Sequence, residues 1–173
     1  MNRIKIVSQI IGFIAFFISL IAFHRKDKKK IFQTMALSNL LECIHYVLLG
    51  AYSGCVTKAI ALIRNIIISI KEKNKKLNSI IVLAIFIIGY VIAGILTYDG
   101  IFSLLPIITG TIYLVIVWNG DRLKVKKIAF LCSFLWFIYN IYVLSISGIT
   151  LNVVEMVSLS IAIWNEKRAE KDK

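Results

Sequence analysis

Hydrophobic positions in this chain form long continuous runs separated by short polar connectors. The runs cover residues 4–23, 31–51, 55–70, 77–97, 101–118, 128–146 and 149–164. Several are rich in isoleucine, which over a few residues would suggest buried strands. Their lengths exceed that of a buried strand and approach the roughly 20 residues that cross a hydrocarbon core. An open strand would leave its backbone groups unpaired in lipid, so each run predicts a helix. The pattern therefore predicts an all-α polytopic membrane protein with seven transmembrane helices. The third and seventh runs are the shortest and most polar, and neighbouring helices are expected to shield them. The first run follows Arg3 and Lys5 as a signal peptide would. It is longer than a typical h-region of about 7–15 residues, and no small-residue cleavage site precedes the basic stretch from Arg25, so it reads as a retained helix.

Composition agrees with the pattern. Of 173 residues 59% are apolar and one is proline, with a mean hydropathy of +0.84, against about 45–50% apolar in soluble domains. Seven crossings leave no room for a separate soluble domain. The cysteines Cys43, Cys55 and Cys132 lie in or beside apolar runs, without a CxxC or metal-ligand spacing, and read as small buried hydrophobes.

The net charge of +12 is absorbed by topology. Arg25, Lys26, Lys28, Lys29 and Lys30 follow the first run, Lys71, Lys73, Lys75 and Lys76 the third, Arg122, Lys124, Lys126 and Lys127 the fifth, and Lys167, Arg168, Lys171 and Lys173 the seventh. These 17 of 21 basic residues fall on one side of a seven-crossing path. The connectors Tyr52-Ser53-Gly54, Tyr98-Asp99-Gly100 and Ser147-Gly148 on the other side carry none. By the positive-inside rule the amino terminus is outside and the carboxyl terminus cytoplasmic. The bilayer is the expected partner, with anionic lipid at the basic loops, and the charge calls for no nucleic acid.

A shift of 94 residues lays Asp27-Lys28-Lys29-Lys30 on Asp121-Arg122-Leu123-Lys124, Ser53-Gly54 on Ser147-Gly148, and Glu72-Lys73 on Glu166-Lys167. Two three-helix units separated by one crossing must run the same way through the membrane. This predicts two parallel repeats, residues 1–76 and 98–173 with the tail, joined by a connecting helix at 77–97.

That 3+1+3 plan resembles the SWEET and PQ-loop transporters. Gln9-Ile10-Ile11-Gly12, Ser38-Asn39-Leu40-Leu41, the segment His45-Tyr46-Val47-Leu48-Leu49-Gly50-Ala51-Tyr52-Ser53-Gly54, Arg64-Asn65 and Trp136-Phe137-Ile138-Tyr139-Asn140 resemble the YgjV-type family of bacterial inner-membrane proteins. The resemblance implies a multi-pass protein of the bacterial inner membrane and assigns no solute. The chain departs from the SWEET and PQ-loop pattern at Phe23-His24 and Val117-Trp118, where a Pro-Gln pair would stand. Its single proline, Pro106, leaves it without that pattern's hinge prolines.

Ionisable groups inside the crossings are costly and point to function. They are Glu42 and His45 in the second run, Lys58 and Arg64 in the third, and Glu155 in the seventh. Counting rise from Ser53 and Ser147, the expectation is that Glu42 stands level with Arg64, and His45 with Glu155. A central polar layer would contain these four, with Asn39, Trp136, Tyr139, Asn140 and Asn152 as further candidates for solute binding or proton relay. Lys58 would sit nearer the outer face and snorkel. For Glu42 and Arg64 a permanent ion pair and a solute site are both open readings. His45 reads as a hydrogen-bonded neutral histidine or a relay, the asparagines as interhelical glue or ligands, and Trp136 and Tyr139 as packing or a platform. Gly12, Gly50, Gly54, Gly89 and Gly94 are expected to permit close helix approach, and Trp118 and Trp164 to anchor at the cytoplasmic interface.

No HExxH, GxSxG, Walker or GxGxxG motif occurs, so no enzyme activity, metal or cofactor is expected. The leading expectation is a small transporter working by alternating access. The alternative is a receptor, chaperone or assembly factor whose polar core is structural. A cavity reaching Glu42 or Glu155 favours transport, and a dry, fully paired core the alternative. Sugars would suit Trp136 and the asparagines, and a carboxylate would suit Arg64.

Overall fold

The structure, a computed structural model, describes residues 3–23, 25, 27–70, 79–119 and 122–171. His24, Lys26, the connector 71–78 with the whole second basic cluster and Glu72-Lys73, Asp121 and Lys173 lie outside the described residues. Among those described there are seven α-helices and no strand: α1 Arg3–Phe23, α2 Lys28–Leu49, α3 Tyr52–Ile70, α4 Ile80–Leu96, α5 Leu104–Asn119, α6 Arg122–Tyr142 and α7 Ile146–Lys171. A short 3₁₀ turn, Ile101–Ser103, leads into α5. By length and apolarity α1, α3, α6 and α7 contain candidate membrane spans, while α4 and α5 are apolar but shorter.

Each helix is inside out relative to a soluble one. Ile10, Ile14, Phe17 and Ile21 of α1 are exposed at three- and four-residue spacing, as are Ile81, Ile85, Ile88 and Ile92 of α4 and Val153, Val157 and Ile161 of α7. Small polar residues are buried instead, among them Ser8, Ser38, Ser53, Thr57, Thr109, Ser133, Ser145 and Ser147. An apolar exterior around a polar, small-residue interior is the arrangement lipid favours, because the tails are as apolar as leucine and only packing and interhelical hydrogen bonds hold the bundle together.

In each half the middle helix carries the packing: α2 lies between α1 and α3, and α6 between α5 and α7. The halves meet where α1 touches α7 and where α3 touches α5. The helix α4 rests on α3 and α5 with its other face exposed. Leu83, Phe86, Tyr90 and Ala93 pack there on Ile107 and Leu114.

Boundaries differ from the hydropathy runs in an instructive way. The residues read as outer connectors, Tyr52-Ser53-Gly54 and Ser147-Gly148, belong to the first turns of α3 and α7. The true turns are Gly50–Ala51 and Val143–Ser145. Small polar residues suit a first helical turn, where backbone N–H groups lack intrahelical partners. The helix α7 is the longest and keeps an exposed apolar face, so it is not shielded as expected; its charged end continues the helix beyond the apolar run.

Gly50 caps α2 in the left-handed region, with φ 74°, and its N–H bonds the Val47 carbonyl while the Ala51 N–H bonds that of Tyr46. Leu144, 94 residues on, closes α6 with φ 57°. There the Leu144 N–H bonds the Ile141 carbonyl and the Ser145 N–H that of Asn140. The same turn occurs twice, once with glycine and once with leucine.

Candidate functional site

The polar residues separate into two regions along the helix axes. Near the turns, His45, Tyr46, Tyr139 and Asn140 form a buried layer. The His45 Nδ1 lies 2.7 Å from the Ser8 carbonyl, which only accepts, and Nε2 lies 2.7 Å from the Ser145 hydroxyl. The Ser145 oxygen in turn accepts the Gly148 N–H at 3.1 Å. A neutral imidazole with hydrogen on Nδ1 satisfies every partner. Gln9 ties α1 to the second turn, donating from Nε2 to the Leu144 carbonyl at 3.0 Å and accepting the Ser147 N–H at 3.2 Å.

The Tyr139 hydroxyl accepts the Gly54 N–H at 3.0 Å and lies 3.0 Å from the Ser53 hydroxyl. A Cβ on Gly54 would stand 2.9 Å from Tyr139, so glycine is what admits the ring. The Tyr46 hydroxyl donates to Asn140 Oδ1 at 2.8 Å, and Asn140 Nδ2 donates to Asn152 Oδ1 at 2.7 Å.

Several of these contacts are related by the 94-residue shift. Tyr46 and Asn140 occupy corresponding positions and bond each other. The Ser53 and Tyr139 pair corresponds to Ser147 and His45, which stand 3.5 Å apart. The Ser38 hydroxyl donates to the Ala15 carbonyl at 2.8 Å, and at corresponding positions the Cys132 thiol donates to the Thr109 carbonyl at 3.6 Å.

Beyond this layer, toward the helix ends that carry the basic connectors, lies a cavity of about 580 Å³ lined by residues of all seven helices. It contains Asn39, Glu42, Lys58, Arg64, Tyr90, Tyr113, Ser133, Trp136, Asn152 and Glu155, and it extends to Met35 of α2 and Ala162 of α7. On the other side of the layer, among the turns, is a second cavity of about 690 Å³ lined by Tyr52, Ser53, Tyr98, Asp99, Tyr139 and Tyr142 among others. Tyr139 and Trp136, one helical turn apart on α6, thus face different cavities.

Glu42 pairs with Lys58, not Arg64. The Lys58 Nζ also lies 4.4 Å from the centre of the Trp136 ring, a cation–π contact that holds the amine inside. Lys58 therefore does not snorkel outward. The level count started too late: the turn is at Gly50–Ala51, so Glu42 is eight residues before it and Lys58 seven after, whereas Arg64 is thirteen after, roughly 9 Å deeper at 1.5 Å per residue.

Arg64 is buried, with Nε and Nη2 directed to Asn65 Oδ1 at 3.4 and 3.3 Å and its guanidinium 5.3 Å from the Tyr113 ring centre. No carboxylate among the described residues pairs with it. His45 and Glu155 do not meet either. Glu155 belongs to the cavity, where Ser133 donates to Oε2 at 2.9 Å and Asn152 Nδ2 approaches the same oxygen at 3.5 Å.

The expected single polar layer is thus a saturated layer plus a charged cavity. Sequence reasoning missed Ser8, Gln9, Tyr46, Ser145 and Ser147 in the first, and Tyr90, Tyr113 and Ser133 in the second. The 94-residue shift already laid Tyr46 on Asn140 and was the one signal that bore on them. Of the glycines expected at close approaches, Gly50 and Gly89 have open space around the Cβ position, and Gly12, Gly54 and Gly94 do not.

Comparison with known proteins agrees with a membrane location. No solved structure matches the chain. It is 24% identical over 142 residues to Inner membrane protein YgjV of Escherichia coli (strain K12), covering 82% of this chain and 74% of that one. The model of the family Imp-YgjV, described as a bacterial inner membrane protein, matches residues 6–170. With nearly its whole length so matched, and with an apolar exterior around a polar core, the chain belongs to the Imp-YgjV family of multi-pass bacterial inner membrane proteins.

Proposed function

We propose that this protein is a small transporter, not an enzyme, that moves a polar solute by alternating access between two parallel three-helix bundles. Residues 1–76 and 98–173 form the bundles and 77–97 the connecting helix, as in SWEET-like and PQ-loop-like architectures. The amino terminus is outside and the basic connectors lie at the cytoplasmic face against anionic lipid.

One observation carries the reading. A cavity of about 580 Å³ lined by all seven helices ends at a hydrogen-bonded layer with a second cavity beyond it. A structural core has no use for so much space around Glu42, Lys58, Arg64 and Glu155. The layer lies between the halves, joined by Tyr46 to Asn140 and by Ser53 to Tyr139, so a tilt of one bundle against the other breaks it without disturbing either bundle. The mirrored contacts at 94-residue spacing and the matched α1 to α7 and α3 to α5 packing support two equivalent bundles. The contact of Tyr46 with its own counterpart suits an axis between bundles of the same direction.

The test is uptake by proteoliposomes across a panel of polar solutes, with Tyr46→Phe and Asn140→Ala in parallel. Saturable uptake altered by both variants is expected, and a protein that moves nothing in the panel overturns the reading. Orientation is checked with a membrane-impermeant thiol reagent and single cysteines at the exposed Tyr52, Tyr98 and Leu144, after Cys43, Cys55 and Cys132 are replaced by alanine. All three are expected to label in intact cells. Labelling only in inverted vesicles overturns the orientation.

A further inference from the structure

The cavity holds two ionisable groups of opposite sign, Arg64 and Glu155, that form no ion pair among the described residues. Glu42 and Lys58 neutralise each other. Among the described residues Arg64 has only the Asn65 side-chain oxygen and the face of Tyr113. Glu155 has two neutral donors, Ser133 and Asn152, both on Oε2. No cation among the described residues pairs with it.

A third group is idle as well. The Tyr90 hydroxyl is fully buried, has no hydrogen-bond partner among the described residues, and belongs to a side chain that lines the same cavity as Arg64. An unpaired buried hydroxyl and an unpaired buried guanidinium in one cavity are each expensive. They cease to be so when an oxyanion accepts from both.

The geometry points to a site for a small zwitterion of the amino-acid type, its carboxylate on Arg64 and Tyr90 and its ammonium on Glu155. This rests on the transport reading only for how the solute moves; binding stands on its own. A guanidinium presents paired donors that match a carboxylate. A plain carboxylate would leave Glu155 uncompensated, a plain amine would leave Arg64 so, and a sugar would leave both. Of these classes only the zwitterion offers each of the two groups a partner of opposite charge inside an apolar bundle. Arg64, Tyr90 and Glu155 line one cavity, and the Arg64 guanidinium stands 5.3 Å from the centre of the Tyr113 ring that lines it too.

The experiment is ligand-dependent thermal stabilisation of the purified detergent-solubilised protein, which reports binding by mass action. The probes are the twenty protein amino acids, their N-acetyl and carboxamide derivatives, and glucose. At least one free amino acid is expected to stabilise the protein, and both of its capped derivatives to bind at least tenfold more weakly. Arg64→Gln should erase the preference for acid over carboxamide, and Glu155→Gln the preference for amine over N-acetyl.

Tyr90→Phe, which keeps the packing, should weaken the free amino acid about fivefold and the carboxamide far less; it stands in if Arg64→Gln does not fold. Stabilisation by glucose, or by a capped derivative as strongly as by its parent, overturns the inference, as does a panel in which no free amino acid binds. Binding of a zwitterion without uptake in proteoliposomes leaves this site standing and removes the transport reading.

Discussion

The layer near the turns and the cavity beyond it are both rich in polar side chains, yet they are built on opposite principles. In the layer the buried polar groups answer one another: His45 is bonded at both nitrogens, Tyr139 receives a backbone N–H, and Asn140 both accepts and donates. In the cavity, Tyr90 and Arg64 lack matched partners, and Glu42 Oε2 has no donor besides the lysine ion pair. Saturated groups leave no free donor or acceptor for a solute, and in the proposed transporter they form the seal. Unsaturated groups are tolerated only where something can complete them.

The contrast is sharpest at the Glu42 and Lys58 pair, where the largest effect is expected. Removing one member of a buried pair leaves an uncompensated charge, which costs about 3–5 kcal/mol, whereas removing both is often nearly neutral. Glu42→Gln and Lys58→Met should each lose about 3 kcal/mol, the lower end because the Lys58 side chain keeps 18% of its surface exposed, and the double variant should recover most of it. Thermal unfolding in detergent of the four proteins checks this. Single variants as stable as the parent would mean that the pair is not formed. Arg64→Met combined with Glu42→Gln should show no such rescue, because the two do not meet.

The seal should fail by crowding where the cavity fails by loss of charge. A Cβ on Gly148 would fall 2.5 Å from the Asn140 side chain, which is already committed to Tyr46 and Asn152. Overpacking of this kind costs about 1–3 kcal/mol. Gly148→Ala should cost about 2 kcal/mol in the same unfolding assay and disturb the layer while leaving the Glu42 and Lys58 pair intact. An unchanged melting temperature would show that Asn140 has room to move and that the seal is looser than its distances imply.

What the sequence reveals about these two regions follows from what each depends on. Hydropathy alone marks the helices, because lipid acts on every residue in a run, and the costly ionisable groups stand out for the same reason. Pairing depends on depth, and depth on where the turn lies. Reading Ser53 and Gly54 as the turn displaced the origin and matched Glu42 with Arg64 in place of Lys58. The seal was harder to read because serines, glycines and a tyrosine in apolar runs carry no charge to mark them. His45, Tyr139 and Asn140 stand out as polar groups in their runs, whereas the shift that aligns Tyr46 with Asn140 gives correspondence without contact. The unpaired state of Tyr90 is invisible in sequence, since an idle hydroxyl is defined by what does not surround it.

The smallest effect concerns the turn that occurs twice. Gly50 and Leu144 occupy the same left-handed conformation with the same two backbone hydrogen bonds, but a leucine pays for it through the clash of its Cβ with the following carbonyl, about 1–2 kcal/mol. Glycine avoids the clash but loses more conformational freedom on folding, roughly 0.5–1 kcal/mol. Leu144 is 65% exposed, so its side chain adds little packing to either side of the balance. Gln9 bonds its carbonyl, which any residue retains. Leu144→Gly should therefore raise stability by about 0.5 kcal/mol, and Gly50→Leu should lower it by a similar amount, with nothing within 4 Å of the Gly50 Cβ position to confuse the comparison. At roughly 2–4 °C per kcal/mol for a chain of this size, the melting temperatures should move by about 1–2 °C in opposite directions. Movement in the same direction would mean that the two turns are not equivalent in energy despite their identical hydrogen bonds, and that the leucine is held by contacts with lipid or detergent that its exposure does not record.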